Sequence, residues 1–182
     1  MKSVLISIRP KWCEKIASGD KTIEVRKTRP KLEPPFRCYI YCTLQGAPEF
    51  FHETLGGDVA KWNRGKWAER KGNVIGEFTC DAIFSIFPIR GDISEFAGPA
   101  CMTKREMYEY LNAMSGYGWH VSDLKIYDKP RELRELKKSN RDCFYADLGL
   151  AKRDCPDCKN SGCFLERPPQ SWCYVEAMKD GN

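Results

Sequence analysis

Residues 19–26, Gly19-Asp20-Lys21-Thr22-Ile23-Glu24-Val25-Arg26, bring an ammonium, a hydroxyl, a carboxylate and a guanidinium close together. The run from 21 to 27 alternates. Thr22, Glu24 and Arg26 point one way and Ile23 and Val25 the other, the pattern of a half-buried strand. If the polar side faces a cleft, it buries charge, which is costly unless the charges are paired or used. Lys21 and Arg26 can then meet a phosphate or a carbonyl oxygen. Glu24 can accept from an exocyclic amine, or act as a general base toward water. Thr22 lies on the same face as a further hydroxyl. Arg9, at the end of the first strand, adds positive charge. The plain alternative is a Glu24–Arg26 pair on an exposed edge strand, which is worth little.

The cysteines carry a second chemistry. Of ten, Cys13, Cys38, Cys42, Cys80, Cys101 and Cys143 are scattered, mostly in apolar surroundings, and read as small buried hydrophobes. Cys155-Pro-Asp-Cys158 is a C-x2-C knuckle, and Cys163 follows after four residues. A tetrahedral zinc ion needs four ligands. Cys143, in the same irregular stretch, is the preferred fourth, with Cys173 on the last strand as the alternative. The expectation is a structural Zn2+ on Cys143, Cys155, Cys158 and Cys163. It would staple a loop over 139–170 that has little core of its own. Free thiols or a redox pair are the alternatives, but no strand–CxxC–helix context surrounds the motif.

Charge is uneven along the chain. Residues 1–37 hold ten Lys/Arg against four Asp/Glu, more than the whole net charge of +5. A basic face there favours a polyanion or a phosphate-bearing partner over a neutral one. A second basic stretch, 60–72, interleaves Trp62 and Trp67 with lysines and arginines. Bases can stack on such indoles, although an amphipathic helix would use them as core anchors.

These groups need a frame. With 182 residues, 42% of them hydrophobic and 30% charged, the chain suits one globular domain and excludes wholesale disorder. No apolar run approaches the ~20 residues that span a bilayer, and the N-terminus lacks a signal peptide's apolar centre. A cytoplasmic protein with reduced or metal-bound cysteines is the expectation. Strands are expected over 3–8, 21–27, 37–43, 73–87, 123–127 and 171–178. Helices are expected over 10–18, over 103–113 from a Thr103/Glu106 capping box, and briefly over 131–138. Residues 45–72 read as a helical insertion. Gly76 marks a bend or bulge. Twisted strands with a helix between the first two suggest a small, closed or nearly closed barrel of the α+β class.

The strand–helix–G-x-K-x-x-E-x-R pattern resembles the ASCH domain, the activating-signal-cointegrator homology branch of the PUA-like superfamily. The opening SIRPKWCEKIASGDKTIEVRK and the later GWHVSDLKIYDKP and RPPQSWCYVE are similar to blocks of its small bacterial and phage members, in the same order. The resemblance implies one domain over 1–182, a PUA-like β-barrel with flanking helices. Its cleft would bind RNA or other nucleic acid through Arg9, Lys21, Glu24 and Arg26. Trp119 and Lys125, with His120 and Ser122 nearby, would border the cleft. Some small members resemble amidohydrolases that deacetylate N4-acetylcytidine. Lys21 matches those enzymes, but they carry a threonine nucleophile where this chain has Glu24. The expected function is therefore binding of RNA, single-stranded nucleic acid or a modified nucleoside through Arg9, Lys21, Thr22, Glu24, Arg26, Trp119 and Lys125. The first alternative is an amidohydrolase using Lys21 and Glu24, and the second is a protein-interaction module.

Overall fold

A computed structural model describes residues 2–44, 70–89, 91–139 and 164–178. Most of the helical insertion, with Trp62 and Trp67, lies outside these residues, as do Cys143, Cys155, Cys158 and Cys163. Strands β1 (Lys2–Ile8), β3 (Phe36–Cys42), β4 (Val74–Cys80), β7 (Ser122–Arg131) and β8 (Trp172–Glu176) form one sheet in the order β7-β4-β3-β1-β8. Strands β2 (Ile23–Arg26), β5 (Ile83–Ile86) and β6 (Gly116–His120) form a second, in the order β2-β6-β5. Helices α1 (Pro10–Ala17), α2 (Ser94–Ala97) and α3 (Lys104–Tyr110) and a short 3-10 turn (Leu133–Glu135) complete the described elements. The architecture is α+β, as expected. The described strands divide between two sheets instead of closing into one barrel.

The division has a local cause. The expected strand over 73–87 is two strands, broken at Asp81-Ala82, and the halves belong to different sheets. Gly76 does mark an irregularity: the pairing of β4 with both β3 and β7 shifts register beside it. A Cβ there would stand 2.5 Å from the Lys125 carbonyl oxygen.

β1 and β3 run parallel at the centre of the large sheet and are buried on both faces. They therefore read as near-continuous apolar runs. A parallel pair needs a crossover, and α1 with β2 supplies it. Val4, Ile6 and Ile8 of β1 and Cys38, Ile40 and Cys42 of β3 pack on one face with α1 and Trp119. Leu5, Tyr39 and Tyr41 pack on the other, with Tyr127, Leu136 and Val175. A third cluster joins Ile23 and Val25 of β2 to Met107 of α3 and Leu111 at its end. Cys13, Cys38, Cys42 and Cys80 are core residues, as their contexts suggest. Burial pushes the Cys13 and Cys38 thiols well up and the Cys80 thiol up to about 12.

The Thr103/Glu106 capping box is present in full and starts α3. The helix expected over 131–138 is only the 3-10 turn, and β7 is twice the expected strand. No helix among the described residues is long and apolar enough to cross a membrane.

Candidate functional site: a charged cavity between the sheets

β2 alternates as its sequence implies. Ile23 and Val25 enter the third apolar cluster, so Glu24 and Arg26 turn the opposite way, toward β1. Lys21 joins them from the turn after α1, where its N–H bonds the Lys15 carbonyl. All three side chains are buried: Lys21 is 2% exposed, Glu24 5% and Arg26 7%. Lys21 Nζ lies 3.3 Å from Glu24 Oε2, and an Arg26 terminal nitrogen lies 2.9 Å from Glu24 Oε1.

Each cation is also tied to another element. Lys21 Nζ donates to the Ala100 carbonyl at 2.7 Å, and Arg26 donates to the Ser7 carbonyl at 2.7 Å. The carboxylate is thus bracketed by two cations, and each cation is anchored to backbone. Single partners of such a network are expensive to remove, because the others stay buried without their counter-charge.

The network forms the floor of a cavity of about 680 Å³. Arg9, Trp12 and Lys21 line it from the α1 end, Ser7 from β1, and Tyr41 and Thr43 from the end of β3. Met102 and Tyr110 close it from the α3 side, and Pro168, Pro169 and Gln170 from the loop before β8. Lys21 Nζ lies 5.0 Å from the centre of the Trp12 ring, a cation–π contact. Partial burial pushes the Tyr110 hydroxyl upward, against the opposing pull of Arg26 and Arg9. Ser7 donates its hydroxyl to the Pro169 carbonyl at 2.7 Å, which ties the loop before β8 to the cavity wall.

The architecture that holds this cavity is a known one. A crystal structure of the ASCH protein from Zymomonas mobilis superposes with a TM-score of 0.56 at 18% identity, covering 96% of this chain and 87% of that one. Two point variants of that ASCH protein superpose with TM-scores of 0.57 at 19% and 17% identity, over 97% and 96% of this chain and 91% and 88% of theirs. The fold is that of an ASCH domain. No protein-family model and no curated protein matches the chain.

Within this ASCH fold the expected site residues divide. Arg9, Lys21, Glu24 and Arg26 converge on one cavity. Thr22 does not join them: it precedes β2, is exposed, and its N–H is taken by the Pro99 carbonyl. Trp119 is fully buried in the main core, edge-on to Phe36 at 6.1 Å, and lines no part of the cavity. It sits opposite Glu24 in the β2–β6 ladder, but its indole continues into the apolar layer. Lys125 is exposed on β7, an edge of the large sheet, away from the cavity lining.

His120 also faces elsewhere. Its Nδ1 is 2.6 Å from Asp81 Oδ1, a contact that holds the Asp81 carboxyl below its ordinary value. Arg70, from the second basic stretch, is buried and donates to the Tyr127 carbonyl at 3.0 Å. The four cysteines expected to hold zinc lie outside the described residues. Among the described residues, no three His, Cys, Asp or Glu side chains are grouped to hold a metal.

Sequence reasoning missed Ser7, Tyr110 and the Ala100 carbonyl. They reach the cavity from β1, α3 and the loop before it, and no local pattern marks them. Trp12 had a signal: it lies three residues after Arg9 in the same basic opening segment.

Proposed function

We propose that the cavity binds a nucleobase-bearing ligand, with RNA favoured over other single-stranded nucleic acid or a free modified nucleoside. One observation carries the reading. Three buried charges, linked at 3.3 and 2.9 Å, form the floor of an open cavity of about 680 Å³ instead of being sealed in the core. That volume suits a ligand of nucleotide size. Buried charge clusters in clefts are where functional sites concentrate. Lys21 and Arg26 would meet a carbonyl or phosphate oxygen. Glu24 would set their positions and, through its remaining lone pairs, accept from an exocyclic amine. Trp12 and Tyr110 supply aromatic walls for a base.

The test is equilibrium binding of a panel of RNA, DNA and modified nucleosides to the wild type and to Lys21→Ala and Glu24→Gln. Thermal melts confirm that each variant is folded. The reading expects RNA or a nucleoside to bind and folded variants to bind at least tenfold more weakly. Wild-type binding unaltered in both folded variants would contradict it.

A second reading rests on the 3.3 Å approach of Lys21 to Glu24. An N-acylated cytidine such as N4-acetylcytidine would place its acyl oxygen on Lys21. Glu24 would take a proton from water, whose oxygen attacks the acyl carbon. The C–N bond would then break, releasing acetate and the protonated-back amine. Turnover of N4-acetylcytidine that is lost in Lys21→Ala would favour this reading over binding alone.

A further inference from the structure

We infer that the mouth of the cavity is a phosphate site, so that the ligand is a nucleotide and not a free nucleoside. This rests on the reading above that a nucleobase occupies the cavity. Three exposed cations stand on the cavity lining or against its aromatic side chains. Arg9 lines the cavity itself. Lys11 Nζ lies 4.5 Å from the centre of the Trp12 ring, and Lys27 Nζ lies 5.6 Å from the centre of the Tyr110 ring. Both rings line the cavity.

None of the three cations has an ion-pair partner among the described residues. The helices that border the cavity do pair their other cations. On α1, Lys15 meets Asp20 at 3.0 Å. On α3, Lys104 meets Asp92 at 3.2 Å and Arg105 meets Glu109 at 2.9 Å. Carboxylates near the mouth are already engaged. Glu24 is held by Lys21 and Arg26. Glu106, which feels Lys11, accepts from the Thr103 N–H at 2.7 Å and its hydroxyl at 2.9 Å.

The charge balance follows. Lys21, Glu24 and Arg26 leave the floor with one net positive charge, and Arg9, Lys11 and Lys27 add three against the one negative charge of Glu106. A neutral nucleoside leaves the mouth charges uncompensated. A phosphate ester supplies the missing negative charge, and low-dielectric walls strengthen the attraction. The sugar–phosphate would lie across Arg9, Lys11 and Lys27, with the base below it between Trp12 and Tyr110. The phosphate can belong to a free nucleotide or to one residue of a strand.

The experiment compares cytidine, cytidine 5′-monophosphate, inorganic phosphate and a short single-stranded RNA by calorimetric titration. Each is run on the wild type and on the Lys11→Gln/Lys27→Gln double variant, at about 50 and about 200 mM salt. The monophosphate is expected to bind the wild type about tenfold more tightly than cytidine. The double variant should bring the two close to equality. If the source is a strand, the RNA should lose about threefold in affinity per contacted phosphate across that salt range, from a slope near −0.7 per phosphate. If it is a free nucleotide, the RNA should bind no better than the monophosphate.

Equal affinity for cytidine and its monophosphate would overturn the inference while leaving base binding intact. So would a preference untouched by the double variant, or inorganic phosphate binding as tightly as the monophosphate. If no nucleoside, nucleotide or RNA binds, the base-binding reading itself falls and this inference falls with it.

Discussion

Glu24→Gln is the most informative single change, because it removes one charge and almost no volume. In the wild type the carboxylate faces Lys21 at 3.3 Å and Arg26 at 2.9 Å, with all three side chains buried. At an effective dielectric constant of about 20, each attraction is worth roughly 5 kcal/mol before desolvation is subtracted. The glutamine keeps one acceptor oxygen but turns an amide N–H toward the other cation. Removing one member of a buried network typically costs 3–5 kcal/mol. Here each cation keeps a backbone carbonyl at 2.7 Å, from Ala100 or Ser7, so the low end applies. The expectation is a loss of about 3 kcal/mol. For a chain of this length that is a fall of roughly 6–12 °C in Tm.

Urea denaturation and thermal melts would measure both quantities. A Lys21→Met/Glu24→Leu/Arg26→Met triple variant should recover most of the loss, since an apolar replacement leaves no charge stranded. A Glu24→Gln loss below about 0.5 kcal/mol would refute the reasoning, because it would mean that solvent already screens the network.

Three further predictions concern the frame. Gly76→Ala places a Cβ 2.5 Å from the Lys125 carbonyl oxygen and 3.1 Å from the Ile126 Cα. Backbone must move there, so a loss of about 2–3 kcal/mol in denaturation is expected, and a neutral result would contradict the packing of β4 on β7. Thr103→Ala removes the cap of α3 and should cost about 1 kcal/mol at neutral pH. The Thr103 N–H and hydroxyl hold the Glu106 carboxyl below its ordinary 4.5, so their share of the cap is full above that value and is lost as pH falls through the lowered one, whereas the Glu106 N–H donated to the Thr103 hydroxyl oxygen at 3.1 Å does not titrate. Alanine keeps the N–H of residue 103 and loses only the hydroxyl, so the gap between wild type and Thr103→Ala should narrow in acid without closing, and a gap that widens as pH falls would count against it. The spacing of Cys143, Cys155, Cys158 and Cys163 predicts about one zinc per chain by elemental analysis, reduced in Cys155→Ser; metal-free protein purified without chelator would sink this expectation.

Much of the site was legible because its elements announce themselves locally. Pro10 opens α1, the helix ends before Gly19, and the alternation of 21–27 assigns Glu24 and Arg26 to one face. What lies behind that face is not local. The cavity exists because α3 and the loop before β8 arrive from more than seventy residues away, and neither carries a matching signal. Trp119, expected at the border of the cleft, lies in the core for a packing reason. Gly116 and Gly118 belong to β6. A Cβ on Gly118 would stand 2.9 Å from Ile23 Cγ2, so the glycine permits close strand packing. Trp119 is carried inward by the same pairing. The described strands part into two sheets at Asp81, whose carboxylate meets His120 where the chain passes from one sheet to the other.

Ligand is proposed to occupy the space above Lys21, Glu24 and Arg26. Gln170→Trp tests it most directly. Gln170 is an exposed residue of the cavity lining and takes no part in the charged network. An indole there fills the space while leaving the floor intact. Titrating the wild type and this variant with the ligand that binds best in the nucleic-acid and nucleoside panel is the measurement. At least a tenfold loss of affinity with Tm unchanged is expected. Equal affinity in the two proteins would place the ligand elsewhere on the molecule and contradict the claim.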